Sequence, residues 1–352
     1  MKTPRDSKTV LVSGGAGYIG SHVTRVLRAA GYAPVVIDSL VTGNLWATRH
    51  AAAFRKGDVG DRDFVRAVCE EFHPTAALHF AAFIEVGESV DNPGKYFANN
   101  RDKAKIFFDV LAENGVRQVV FSSTAAVYGE VTDKPIKESQ PARPINPYGQ
   151  SKLDAETHLR SIPGMNSVAL RYFNVAGADP SNGLGEAHYP ESHVIPRIIL
   201  PLIEVPDAVC EALGLAKGFK IFGDDYATRD GTAVRDYIHV LDLADAHVRA
   251  LKYLRDGGET EIFNLGSGTG FSVSEIVEAA RQVLRRPDFV PGIEARRAGD
   301  PAMLVADSAR ARHILGWTTG RGIKIMIDSA ASWHRMQIYA DTILSKAGMA
   351  LA

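Results

Sequence analysis

The sequence is poor in cysteine, in charge imbalance and in long apolar runs, and each shortage removes a class of function. Its two cysteines, Cys69 and Cys210, lie far apart and make neither a disulfide framework nor a thiolate metal cluster. The eleven histidines show no HExxH or comparable ligand spacing, so no metal site is expected. A net charge of −1 gives no electrostatic reason to expect nucleic acid or an anionic membrane as partner. No apolar run reaches the length of a membrane span. Residues 1–8 carry charge but lead into a short strand, not into an apolar segment with a cleavage site. A cytoplasmic location is the expectation. Internal repeats and low-complexity linkers are missing as well.

What is present reads as a globular α/β chain. With 352 residues, 45% hydrophobic and 23% charged, it can bury one large core or two ordinary ones. Thr9-Val10-Leu11-Val12 is a strand that breaks at Ser13-Gly14-Gly15-Ala16-Gly17-Tyr18-Ile19-Gly20. Val23, Val26, Leu27 and Ala30 then share a helix face that Gly31 ends. In this strand, loop and helix context, glycines let backbone approach a pyrophosphate at the helix N-terminus. A second strand over 33–37 closes with Asp38. An acid there accepts hydrogen bonds from adenosine ribose hydroxyls and repels a 2′-phosphate, favouring NAD over NADP.

More such units follow. Residues 54–59 suggest a third strand, with Asp58 placed to meet an adenine amino group. Residues 76–82 are apolar and end in small side chains, as a strand end under a cofactor must. A helix over 103–114 leads to a strand over 118–121 and then Ser122-Ser123-Thr124; residues 168–174 form another strand with a polar end. The alternation implies a Rossmann-type, doubly wound parallel sheet with its ligand at the strands' carboxyl ends. Between Gly177 and Gly223 five prolines interrupt it. The expected division is an NAD-binding domain over 1–176, with a returning segment near 233–250, and a smaller substrate domain over most of 177–352.

Tyr148 and Lys152 are four residues apart, one helical turn, so phenol and ammonium share a face. A lysine beside a tyrosine favours phenolate and is expected to lower the phenol's pKa, making it a usable general base. The Thr124 hydroxyl, at the end of an earlier strand, belongs to the same sheet edge.

These residues together carry a resemblance. The chain resembles the extended short-chain dehydrogenases/reductases, and within them the UDP-glucose (UDP-galactose) 4-epimerase family. The match rests on the loop 14–22 with Val86-Gly87-Glu88-Ser89, Val127-Tyr128-Gly129, Pro147-Tyr148-Gly149-Gln150-Ser151-Lys152 and Leu170-Arg171-Tyr172-Phe173-Asn174. It continues through the run 231–240, Asn264-Leu265-Gly266 and Arg296-Arg297-Ala298-Gly299-Asp300. The resemblance implies reversible C4 epimerisation of a UDP-sugar through a 4-keto intermediate, with tightly bound NAD as hydride carrier. Tyr148, Lys152 and Thr124 would be catalytic. NAD would be held by Gly14, Gly17, Tyr18, Ile19, Gly20, Asp38, Ser39, Asp58, Val59, Phe80, Ala81, Ala82, Asn99, Thr124, Tyr148, Lys152 and Phe173. The UDP-sugar would meet Thr124, Tyr148, Asn174, His193, Val194, Ile221, Phe222, Arg235, Arg297 and Asp300.

A homodimer through helices near 95–114 and 150–162 is also implied. Ser272-Val273-Ser274-Glu275 reads as a helix cap, and Trp317 and Trp333 as packing residues. Departures from the family pattern bear on detail: Thr124 stands where serine is frequent, Ile84 where some members carry lysine, and His193 where an amide is common. Leu304 occupies a wall position that sets sugar size, so epimerases of UDP-N-acetylhexosamine or UDP-pentose stay open beside UDP-glucose/UDP-galactose. A nucleotide-sugar 4,6-dehydratase would need an Asp-Glu pair where Ala125 and Ala126 stand. A reductase or dehydrogenase consuming NAD(H) remains an alternative. A cofactor-sensing protein with a dead site would tend to lose Tyr148 or Lys152.

Overall fold

Strand β1, Thr9–Ser13, is apolar on both faces, and that places it at the centre of a layered molecule. The computed structural model describes residues 8–131, 135–215, 218–296 and 301–349. Val10 and Val12 face one layer, where helices α1 (Tyr18–Ala29) and, later in the chain, Val240–Arg255 cover the sheet. Leu11 faces the other, packed with α2 (Arg62–Phe72), α3 (Lys103–Glu113) and α4 (Pro147–Ser161). The period-two alternation of a strand thus serves two cores at once.

Beside β1 lie β2 (Ala33–Asp38), β3 (Ala53–Lys56), β4 (Ala76–His79), β5 (Gln118–Ser122), β6 (Asn166–Tyr172) and β7 (Glu261–Leu265). All pair in parallel, in the order β7-β6-β5-β4-β1-β2-β3. The order reverses between β1 and β4, so a crevice opens at their carboxyl ends. The doubly wound sheet expected from the alternation is present.

Three boundaries differ from the sequence reading, each for a local reason. β3 stops at Lys56, short of Asp58, because Asp58 turns the chain by accepting the Gly60 N–H at 2.8 Å. β4 stops at His79, where Phe80 N–H reaches across to Ser13 O at 2.9 Å. β6 ends at Tyr172, and Asn174–Ala176 pairs instead with Tyr237–His239, outside the main sheet. Later in the chain the first layer is joined again. α5 (Val240–Arg255) and β7 complete that layer, and Trp317 packs there too.

The second lobe has its own core, formed by Val194–Ile199, Asp207–Ala212, Val273–Leu284, Ile323–His334 and Gln337–Lys346. Trp317 and Trp333 are both buried and hydrogen-bonded, Trp317 to Asp242 O at 2.8 Å and Trp333 to Glu186 O at 2.7 Å. Ser272 and Glu275 form a reciprocal capping box. Asp236, fully buried, accepts from Ser267 N–H at 2.7 Å, Gly268 N–H at 2.9 Å and Ala306 N–H at 3.1 Å. One carboxylate therefore ties the strand carrying Arg235 to the loop after β7 and to the segment beyond Leu304.

Burial also sets the acid limit of the fold. It lowers His22 and His247 to about 4, and His79 and His239 to about 3. Below pH 6.5 the unfolded chain takes up these protons while the folded chain refuses them, so stability rises with pH up to 6.5 and falls towards 4. Each histidine contributes a slope of roughly 1.4 kcal/mol per pH unit inside that window. The urea midpoint should fall steeply between pH 6.5 and 4.5; a flat midpoint there would contradict this burial.

Candidate active site

Pro147 and Asn146 start the helix that carries Tyr148. The Asn146 side chain caps α4 by accepting the Gly149 N–H at 2.8 Å, and proline fills the first helical position. Gly149 is needed for packing: a Cβ there would lie 2.5 Å from Ala126 O. The helix start can therefore press against the turn Ala125–Tyr128, which Thr124 opens by accepting the Ala126 N–H at 3.1 Å. This close approach brings Thr124 and Tyr148 together. The Tyr148 ring also meets Tyr96 edge-on, with centroids 6.4 Å apart.

The charge state differs from the sequence expectation. Burial raises the Tyr148 phenol above its ordinary value; the Thr124 hydrogen bond pulls the other way and Glu85 adds to the rise. Lys152 does not offset that rise in the protein alone, because the ammonium is itself short of water. It is 3% exposed, lies over the Phe121 ring at 4.7 Å, and burial lowers it to about 7. Both charged forms are disfavoured in the protein alone.

Beneath Lys152, one turn further along α4, lies a pair the sequence reading missed. Glu156 is buried and takes Arg171 Nη2 at 2.6 Å, Arg171 Nε at 3.1 Å and Ser123 Oγ at 3.0 Å. Arg171 stacks on Tyr128 at 4.9 Å, and Tyr128 donates to Asn264 Oδ1 at 2.6 Å. The signal was there: 148, 152 and 156 repeat every four residues on one helix face.

The glycine loop fits a dinucleotide. Gly14 has φ +71, and a Cβ there would lie 2.5 Å from Ala81 N, so only glycine lets the loop meet the segment after β4. This contact joins Gly14 to Phe80 and Ala81, with Ala82 next along the chain. Gly17 is the N-cap of α1, with no side-chain cap and no acidic residue in the first turn, which leaves Tyr18, Ile19 and Gly20 to present backbone amides to an anion. Asp38 closes β2, half-committed: its carboxylate accepts Ala16 N–H at 3.0 Å and Leu40 N–H at 2.8 Å, and burial raises its pKa. Ser39 beside it is exposed.

Other predicted residues are placed less directly. Asp58 pairs with Lys103 at 2.5 Å; burial lifts its carboxyl, but that partner and the Gly60 N–H hold it below the ordinary value. Val59 is buried. Asn99 lies on a π-helical turn, Phe97–Asp102, and donates to Asn100 Oδ1 at 3.0 Å. It is Asn100 that fixes the Phe83 backbone, with bonds of 2.8 and 2.9 Å. Tyr18 donates to Gly177 O at 2.5 Å, reaching into the second lobe.

On the substrate side, Phe173 and Leu304 join Ala125, Val127 and Tyr128 in one apolar cluster. Arg235 pairs in register with Leu304, and Asn174 N–H bonds Asp236 O at 3.0 Å. Ile221 and Phe222 lie on the strand Lys220–Phe222, and Val194 packs at the edge of the second core. The His193 ring is hydrogen-bonded to Glu186. Arg297 and Asp300 lie outside the described residues.

Known proteins share this arrangement. The model of the NAD dependent epimerase/dehydratase family matches residues 10–266. A UDP-glucose 4-epimerase of Lacticaseibacillus casei is 47% identical over 330 residues, spanning 93% of this chain and 96% of that one. The crystal structure of UDP-glucose 4-epimerase from Brucella ovis in complex with NAD superposes with a TM-score of 0.83 at 43% identity, covering 92% of this chain and 97% of that one. That from Bifidobacterium longum, in complex with NAD+ and UDP, gives 0.83 at 35% identity over 94% and 99%. A family model across most of the chain, and identity of this order along nearly its whole length, place this protein in the NAD dependent epimerase/dehydratase family, among its UDP-glucose 4-epimerases.

Proposed function

We propose that the protein interconverts UDP-glucose and UDP-galactose by inverting C4 of the hexose through a 4-keto sugar, with NAD as its resident cofactor. The observation that carries this is Tyr148 and Lys152 one turn apart at the carboxyl edge of the sheet, with Thr124 pressed against the phenol. When bound, NAD supplies hydride acceptance and return at C4 and a cationic ring for the phenol's neighbourhood. Its holders are the glycine loop, Asp38, the segment 80–82 and Lys152, with Ser39, Asp58, Val59, Asn99 and Phe173 at its margins.

Tyr148 takes the C4 hydroxyl proton and later returns it to the ketone oxygen. Thr124 hydrogen-bonds that oxygen and fixes its distance from the phenol. Because burial keeps the phenol protonated in the protein alone, ionisation depends on the positive charge collected around it, and Lys152 is the chain's own contribution. Asn174, Val194, Ile221, Phe222 and Arg235, with Arg297 and Asp300, anchor the UDP so that the ketone can turn over without escaping. Arginine's planar fork suits the diphosphate.

Among the described residues no helix is long and apolar enough to cross a membrane, and a cytoplasmic location accords with that. The division into an NAD-binding domain and a smaller substrate domain is part of the same reading. So is a homodimer through α3 and α4, which lie side by side and are linked by His158 and Asp109 at 2.8 Å.

Purified protein given UDP-galactose without added cofactor should form UDP-glucose. Failure of a protein that demonstrably carries NAD would overturn the substrate, and a need for stoichiometric NAD(H) would indicate a reductase or dehydrogenase instead. Tyr148→Phe should keep its fold and NAD but lose turnover by about two orders of magnitude or more; near-normal turnover would remove the phenol from the proton path.

A further inference from the structure

Four ligand-bearing side chains gather outside the proton path just described. Glu186, His188, Glu191 and His193 occupy the segment 186–193, before helix Val194–Ile199, and one donor atom of each lies within 4.8 Å of the others. Both carboxylates are deeply buried, Glu186 at 4% and Glu191 at 2% exposure. Two buried carboxylates demand compensating charge.

The hydrogen bonds do not provide it completely. Both imidazoles turn Nδ1 towards the same Glu186 oxygen: His193 hydrogen-bonds it, while His188 Nδ1 lies 3.0 Å away without making a hydrogen bond. Glu191 accepts the His193 N–H at 2.8 Å with one oxygen, but its second oxygen is buried without a partner. A proton on each imidazole is the competing arrangement; it pairs His188 with Glu186 at 3.0 Å but leaves Glu191 Oε2 buried without a partner. One divalent cation would take that oxygen together with both imidazoles.

We infer that Glu186, His188, Glu191 and His193 form a binding site for a divalent transition metal of the zinc type. Two imidazole nitrogens with two carboxylate oxygens favour such a cation over magnesium or calcium, which prefer all-oxygen shells. Four protein ligands complete a tetrahedral shell and leave no position for substrate, so the metal is structural. It pins a loop with two neighbours that matter. His193 caps the helix that begins at Val194, and His188 meets the Tyr18 ring edge-on at 6.3 Å. Trp333 already holds the same loop through Glu186 O. The pattern Glu-x-His-x-x-Glu-x-His is not one of the usual ligand motifs, because carboxylates alternate with the histidines.

The test is elemental analysis of the full-length protein grown with added Zn2+, then chelator stripping and calorimetric titration with Zn2+. The expected result is about one zinc per chain, recovery of one site on titration, and a higher Tm with metal. His188→Ala combined with Glu191→Gln should abolish binding. Should that variant not fold, Co2+ on the stripped wild-type protein should show the intense visible bands of a four-coordinate ion. A wild-type protein with only trace zinc and no binding heat overturns the site, as does undiminished binding by the double variant or the weak bands of six-coordinate Co2+. Metal content is read separately from sugar turnover, so this result and that of the epimerase assay are independent.

Discussion

The buried pair Glu156–Arg171 is the constraint on which the rest of the reaction centre depends. It takes two ions out of water, which is costly unless both are fully bonded, and here Ser123 and Tyr128 complete the set. The pair locks α4 to β6 and to the residues that follow β5. Tyr148 and Lys152 sit on α4, and Thr124 among the residues that follow β5. Their relation is therefore fixed by a charge pair that does not need to touch the sugar.

This explains the electrostatics of the site. A lysine held over an aromatic ring and cut off from water loses much of its preference for charge, and a buried phenol gains none for ionisation. The protein has built a place where charge is expensive, so each positive charge brought in counts for more than it would in water. Composition and spacing could show that Tyr148 and Lys152 share a helix face. They could not show how dry that face is, and it is burial that sets the direction of the phenol's shift.

Much of the fold was legible because it depends on local patterns. The glycine loop, the acid after β2 and the apolar strands declare themselves within short windows, and the parallel sheet follows from their alternation. What escaped was decided at long range. β7 joins the sheet from far down the chain, Glu156 finds its partner on a different element, and Asp236 collects amides from two distant loops. A residue whose partner is set by tertiary contact leaves little trace in its own neighbourhood. The segment 186–193 is such a case: its four donors converge only because the loop is bent back on itself and held by Trp333.

Tyr18 stands at the mouth of the glycine loop, yet its hydroxyl reaches Gly177, where the chain leaves for the second lobe. That bond is one of several between the halves, beside Trp46 Nε1 to Thr342 Oγ1 at 3.0 Å, His50 to Asn182 O at 3.1 Å and Lys346 Nζ to Thr42 O at 2.9 Å. The loop that would face a dinucleotide and the start of the second lobe are thereby held to one another from both sides.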